Sequence, residues 1–177
     1  MGRARLSVLP EATARLAFMA KKPAKTNAIR EVEAAGIPFT FRTFEADGAP
    51  SGVEVAALLG EDPDRVFKTL VTTGKTGDHY VFMIPVAEEL DLKKAAQAVG
   101  EKAVAMLPLR ELLPLTGYVH GGCSPVGMKQ RFRTTLDETA QLFDTILYSG
   151  GRIGCQLETA PDDLARLIGA AYADLVV

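Results

Sequence analysis

The segment Phe67 to Pro85, "FKTLVTTGKTGDHYVFMIP", restricts the possible folds more than any other part of the chain, because two apolar runs flank a short connection carrying two glycines. Such a connection between strand-forming runs predicts a hairpin. Strand side chains alternate with period two, so Val66, Lys68, Leu70 and Thr72 share one face while Phe67, Thr69, Val71 and Thr73 share the other. Apolar residues on both faces mark a strand covered on both sides. The Lys68 ammonium then has no obvious route to water, and an ionised group is costly to bury unpaired. These residues alone leave two readings open: a lysine guarding a strand edge with its stem buried, or a cation held for a ligand. His79, at the mouth of the returning strand, reads as a solvated strand end.

The rest of the sequence alternates short helices with short strands. Thr26 or Asn27 caps a helix that carries Ile29, Val32 and Ala35 at helical spacing and stops at Gly36. "IPFTFRTF" is expected as a strand, with Phe44 on the opposite face from Phe39 and Phe41. Ser51 and Glu54 have capping-box spacing before a helix ended by Gly60, and Asp91 caps another ended by Gly100. Further on, "KAVAML", "GYVHGG", "FRTTL", "TILY" and "IGCQLE" read as strands, "PLRELL" and "DETAQLF" as helices, and a last helix runs from Pro161 or Asp162 to about Ala171. In a chain of 177 residues with 47% apolar content, this pattern predicts one α+β domain around a mixed, curved sheet.

Charge narrows the range of partners. Twenty basic against 22 acidic residues give a net charge of -2, which argues against a broad phosphate-binding face, so any nucleic acid would be held locally. No run of apolar residues is long enough to span a membrane, and Cys123 and Cys155 lie far apart with no C-x-x-C pair; the expectation is a cytoplasmic protein that needs no metal or cofactor. The leader "MGRARLSVLPEATARLAFMA" carries Arg3, Arg5 and Arg15 against Glu11 alone. It reads as an extension ahead of a start at Met19, or as an organelle transit peptide, and in either case as outside the folded unit.

Several stretches could carry chemistry. Three glycines and a proline crowd into Gly121 to Gly127, a loop able to turn backbone amides toward an anion or a carbonyl oxygen, or simply a tight turn. Cys123 and His120 raise a thiol-hydrolase reading, although their spacing ensures no contact and no orienting Asn or Asp is evident. "SGG" at Ser149 to Gly151 is a second glycine turn. "MKQRFR" interleaves Lys129, Arg131 and Arg133 with Phe132, a small patch of the kind that follows a phosphate backbone or that ends a solvated strand.

Taken in order, "VFKTLV", "PVAEELDLKKAAQAVG", "TGYVHGGCSPVGMKQR" and "LYSGGRIGCQLE" resemble the YbaK/EbsC family of free-standing aminoacyl-tRNA deacylases, relatives of the editing domain inserted in prolyl-tRNA synthetases. The likeness runs from about Asn27 to Asp174. It implies an editing domain over residues 26–177 behind a flexible extension over residues 1–25, with a partly barrel-like mixed sheet surrounded by helices. It also implies removal of a mischarged amino acid, typically cysteine on tRNA for proline, with the acceptor end of the aminoacyl-tRNA as ligand and a prolyl- or cysteinyl-tRNA synthetase as partner. Lys68 matches the family's essential lysine beside the terminal adenosine, and Thr69 its pocket neighbour. Gly121, Gly122, Cys123, Ser124 and Pro125 match the G-x-x-x-P loop around the aminoacyl carbonyl, and Ser149, Gly150 and Gly151 the turn lining the pocket. Phe44 stands where a tyrosine is expected and Gln156 where an aspartate is, so the resemblance implies the reaction more firmly than the accepted side chain. It further implies a mechanism with no protein nucleophile, in which the bound cysteine's own thiol attacks its ester.

Overall fold

In the computed structural model, which describes residues 24–177, the Thr26 hydroxyl accepts the Ile29 amide at 3.2 Å and starts helix α1 (Asn27–Ala34). The expected extension at residues 1–25 falls almost wholly outside the described residues. Strand β1 (Thr40–Thr43) is shorter than expected. It stops before Phe44, whose amide still donates to Gly154 O at 2.9 Å, one step on in the same register. The Ser51–Glu54 capping box opens α2 (Gly52–Leu59), and left-handed Gly60 closes it. The hairpin then forms as the sequence requires: β2 (Phe67–Gly74) pairs antiparallel with β3 (His79–Pro85), with Lys68 opposite Ile84.

Helix α3 (Leu92–Val99), capped by Asp91, leads to β4 (Val104–Met106) and α4 (Leu109–Thr116). After a long irregular stretch come β5 (Arg133–Asp137), β6 (Ile146–Ser149), β7 (Cys155–Thr159), α5 (Pro161–Ile168) and β8 (Ala171–Ala173). Three expectations change. "GYVHGG" is a turn rather than a strand, because Gly117 ends α4 in the left-handed region and the Gly122 amide closes onto Val119 O. "DETAQLF" is a 3-10 turn, Glu138–Leu142, started by the Asp137 carboxylate. The last helix ends at Ile168 because Gly169 takes φ +67°, which frees Ala171–Ala173 to add a strand that the sequence reading missed.

The strands form two sheets: β1-β7-β6, all antiparallel, and β4-β2-β3-β5-β8, in which β3–β5 and β5–β8 are parallel. The mixed α+β class is as expected. No closed barrel is formed among the described residues; the sheets meet at one parallel bridge, Val66 to Leu147. Strand β3 is covered on both faces. Met83 joins a core with α1, α5, Tyr148 and Leu157, whereas Phe82 and Ile84 pack on Ala95, Ala96 and Val99 of α3. A smaller cluster of Ala56, Val66, Val86 and Leu147 sets α2 over the seam between the sheets. Among the described residues no helix is long and apolar enough to cross a membrane.

Candidate functional site

Lys68 lies where the two sheets part. Strand β4 pairs only with Thr72–Gly74, so among the described residues β2 has a ladder partner from Phe67 to Leu70 on the β3 side alone. A cavity of about 190 Å³ lies along this half-strand, touching five consecutive residues, Val66 to Leu70. One face of a strand offers only alternate residues, so the cavity follows the open edge. Its other walls are Pro50 to Gly52 at the start of α2, His120, Gly121 and Cys123 from the glycine loop, and Ser149 and Gln156 at the ends of β6 and β7. Gly52 lets α2 come this close: a Cβ there would sit 2.4 Å from Val86 Cγ1.

The charge in this wall is the one the sequence singled out. Lys68 is half-buried, and its Nζ donates only a long hydrogen bond, 3.4 Å, to Val86 O. Burial holds its pKa below the ordinary lysine value of 10.5, while the charges of Glu89 and Glu88 pull it back up. The cation therefore keeps donors to spare for a ligand. Two further groups are unmet: Thr69 Oγ1 and Gln156 Oε1 are the buried side-chain polar atoms without a hydrogen-bond partner among the described residues, and both residues line this cavity. Orphaned buried polar groups are uncommon in folded proteins, so two in residues that line one cavity set this wall apart.

The thiol-hydrolase reading does not survive. Cys123 is 8% exposed, and burial pushes its thiol up to about 12 against the Thr116 hydroxyl's opposite pull. A nucleophilic cysteine needs the reverse shift. His120 lines the same cavity, but no hydrogen bond orients its ring among the described residues. Nor is any group of three or more His, Cys, Asp or Glu side chains placed to hold a metal ion there.

Other expected residues stand behind the wall. Gly122, Ser124, Pro125 and Gly150 are buried outside the cavity. Ser149 is held in place by Gly151, whose amide donates to its Oγ at 3.2 Å, and Gly150 is fixed by Cys155 O and the Thr26 hydroxyl. Phe44 does not line the cavity. The basic cluster is not assembled there either. Lys129 Nζ donates to Pro114 O at 3.3 Å, and Arg133 donates to Val99 O and Ala98 O at the end of α3, leaving exposed Arg131.

Tyr118 was missed by reading its segment as a strand. Its hydroxyl donates to Val126 O at 2.6 Å, and its ring fills the space a side chain at Gly127 or Gly151 would need, which pins the glycine loop against the SGG turn. The signal was available: an aromatic directly after a helix-ending glycine and just before a cluster of small residues.

Fold and site together define a single-domain α+β protein with a small, partly enclosed pocket carrying one cation and two unmet polar atoms. The family model of the aminoacyl-tRNA editing domain matches residues 47–167. An Enterococcus faecalis protein provisionally named as a Cys-tRNA(Pro)/Cys-tRNA(Cys) deacylase, EbsC, is 44% identical over 160 residues, 89% of this chain and 98% of that one. A proline–tRNA ligase of Pelobacter propionicus is 35% identical over 77 residues, 44% of this chain and 13% of the ligase. A solved structure described as a trans-editing enzyme for prolyl-tRNA synthetase superposes with TM-score 0.75 at 27% identity, covering 88% of this chain and 99% of the other. The chain belongs to the aminoacyl-tRNA editing domain family, in the YbaK/EbsC group that its sequence resembles.

Proposed function

We propose that this protein is an aminoacyl-tRNA deacylase acting in trans, with cysteine on tRNA for proline as its principal substrate and residues 26–177 as the working unit. The observation that carries the reading is the half-buried Lys68 cation, weakly partnered, set in an apolar wall across a small cavity from the Gly121 loop. A terminal adenosine brings phosphate and ribose oxygens, and one unspent ammonium suits them. The cavity has room for a small amino-acid side chain and its ester rather than for the nucleoside.

Catalysis needs no nucleophile from the protein. The thiol of bound cysteine attacks its own ester carbonyl, the C–O bond to the adenosine breaks, and the ribose oxygen leaves with the proton while the amino acid departs as a thiolactone. A substrate without a thiol requires water instead. In both cases the charge developing on the carbonyl oxygen is met by preorganised donors, Lys68 and amides of the Gly121 loop, which Gly122 holds in shape through its own bond to Val119 O, with Cys123, Ser124, Pro125 and the Ser149 to Gly151 turn shaping the enclosure. The near-neutral surface fits an enzyme that grips only the acceptor end, and a synthetase partner would supply tRNA choice.

The test is loss of the ester from tRNA charged with cysteine. Wild-type protein should clear Cys-tRNA(Pro) well above the spontaneous rate, and Lys68→Ala should lower kcat/KM on the order of a hundredfold, the scale of one lost electrostatic donor. Clearance unchanged by Lys68→Ala removes the proposed role of the lysine. Tight tRNA binding with no clearance favours a binding module that keeps the editing fold.

A further inference from the structure

The two unmet atoms have a consequence beyond deacylation. Gln156 is 8% exposed and lies in the middle of a three-stranded sheet, opposite Ser149 on one side and Arg42 on the other, yet its Oε1 accepts nothing from the described residues. Thr69 Oγ1 is likewise buried and unpartnered on β2. Leaving a hydrogen-bonding group buried and unmet is costly, so a ligand that supplies the missing donor is favoured over one of equal size that does not.

The α-ammonium of an aminoacyl ester is one candidate donor, but the lining argues against it. Among the described residues, those around the cavity include no Asp or Glu, and their one fixed charge is the Lys68 cation. An ammonium drawn into that space would meet a like charge and only neutral acceptors, which repay little of its desolvation. A neutral donor carries no such cost. We infer that Gln156, with Thr69, determines side-chain specificity by selecting amino acids that carry a small uncharged donor, a hydroxyl or a thiol, over apolar side chains of the same size. The pocket is thereby a serine-and-cysteine pocket rather than one reserved for cysteine. This inference rests on the deacylase reading above.

Serine and 2-aminobutyrate on the same tRNA for proline test it, because a hydroxyl replaces a methyl group and the space required is nearly constant. Wild-type protein should clear the seryl ester about tenfold faster or more, the scale one unmet buried hydrogen-bonding group imposes. In Gln156→Met, which keeps length and removes the acceptor, the ratio should collapse to within about threefold through a slower seryl reaction; Thr69→Val should erode it in the same direction. Equal clearance of the two esters by wild-type protein overturns the inference without any variant. A Gln156→Met protein that slows both esters alike assigns the oxygen to the ammonium and overturns it too. If no ester is cleared, the cysteinyl ester included, the deacylase reading itself fails, a result distinct from clearance without preference.

Discussion

At the scale of single residues, the informative group is a lysine whose environment weakens its own charge. Burial lowers the Lys68 pKa and the nearby Glu88 and Glu89 oppose that only in part, so the cation is lost at a lower pH than a free lysine would lose it. If the charged form is the working one, background-corrected kcat/KM for Cys-tRNA(Pro) should fall on the alkaline side before the ordinary lysine value is reached. Lys68→Arg, which stays charged throughout, should abolish that limb while lowering the plateau. A limb that persists in the arginine variant belongs to another group. Lys68 could be singled out from sequence because alternation alone placed a charge among Val66, Leu70 and the covered face of a hairpin. The reason it lies at an open edge could not, since that depends on β4 being only three residues long and pairing no further than Thr72. Gln156 was legible only as a departure from a family pattern; its unmet oxygen is a property of packing.

At the scale of elements, the site is a contact between two turns, and glycine sets the distance. A Cβ on Gly122 would lie 2.9 Å from Arg152 Cα and 3.0 Å from Ile153 N, all backbone that cannot rotate away. Gly122 does not have positive φ, so alanine there is conformationally acceptable and its cost reports the contact itself. Gly122→Ala should destabilise the protein by about 1–3 kcal/mol in thermal or urea unfolding. It should also slow deacylation by moving Gly121 and Cys123 away from β2. Full activity with reduced stability would mean that the loop position does not matter to the chemistry. Most elements followed from local signals: the Ser51–Glu54 box, Asp91, the left-handed glycines and the hairpin. The errors came where tertiary context overrides a short apolar run. "GYVHGG" has strand composition, but Tyr118 is consumed in holding the loop to the turn. Ala171–Ala173 has too little pattern to announce a strand, and forms one because β5 offers an edge.

At the scale of the whole molecule, the two sheets that frame the cavity are joined by few ladder bonds, and a four-residue ionic cluster supplements them. Arg42 of β1 and Arg65 before β2 both reach Glu61 and Glu158. Arg65 also donates to Thr145 O, while the Thr145 hydroxyl donates to Glu158 at 2.7 Å. The cluster therefore ties the three-stranded sheet to the entry of β2, the strand that carries Lys68. Partial burial pushes the Glu158 carboxyl up, but the hydrogen bonds from Thr145 and Arg65 and the charges of Arg65 and Arg42 outweigh it, so its net pKa is lowered. A carboxyl depressed in the folded state adds stability that is fully present above its unfolded value and is lost as pH falls through the lowered one. Glu158→Gln should then cost about 1–3 kcal/mol at neutral pH, between the values of exposed and fully buried pairs. The gap in Tm between wild type and variant should narrow steadily as the pH is lowered from 6 through the carboxylate range. A gap that stays constant down to pH 3 would place the stabilisation in the shape of the side chain rather than in its charge. Because the same cluster holds the entry to β2, the variant should also loosen the cavity. Amide exchange at Phe67 to Leu70 rising ahead of that at Val81 to Ile84 would locate the loss at the seam between the sheets, where the pocket opens.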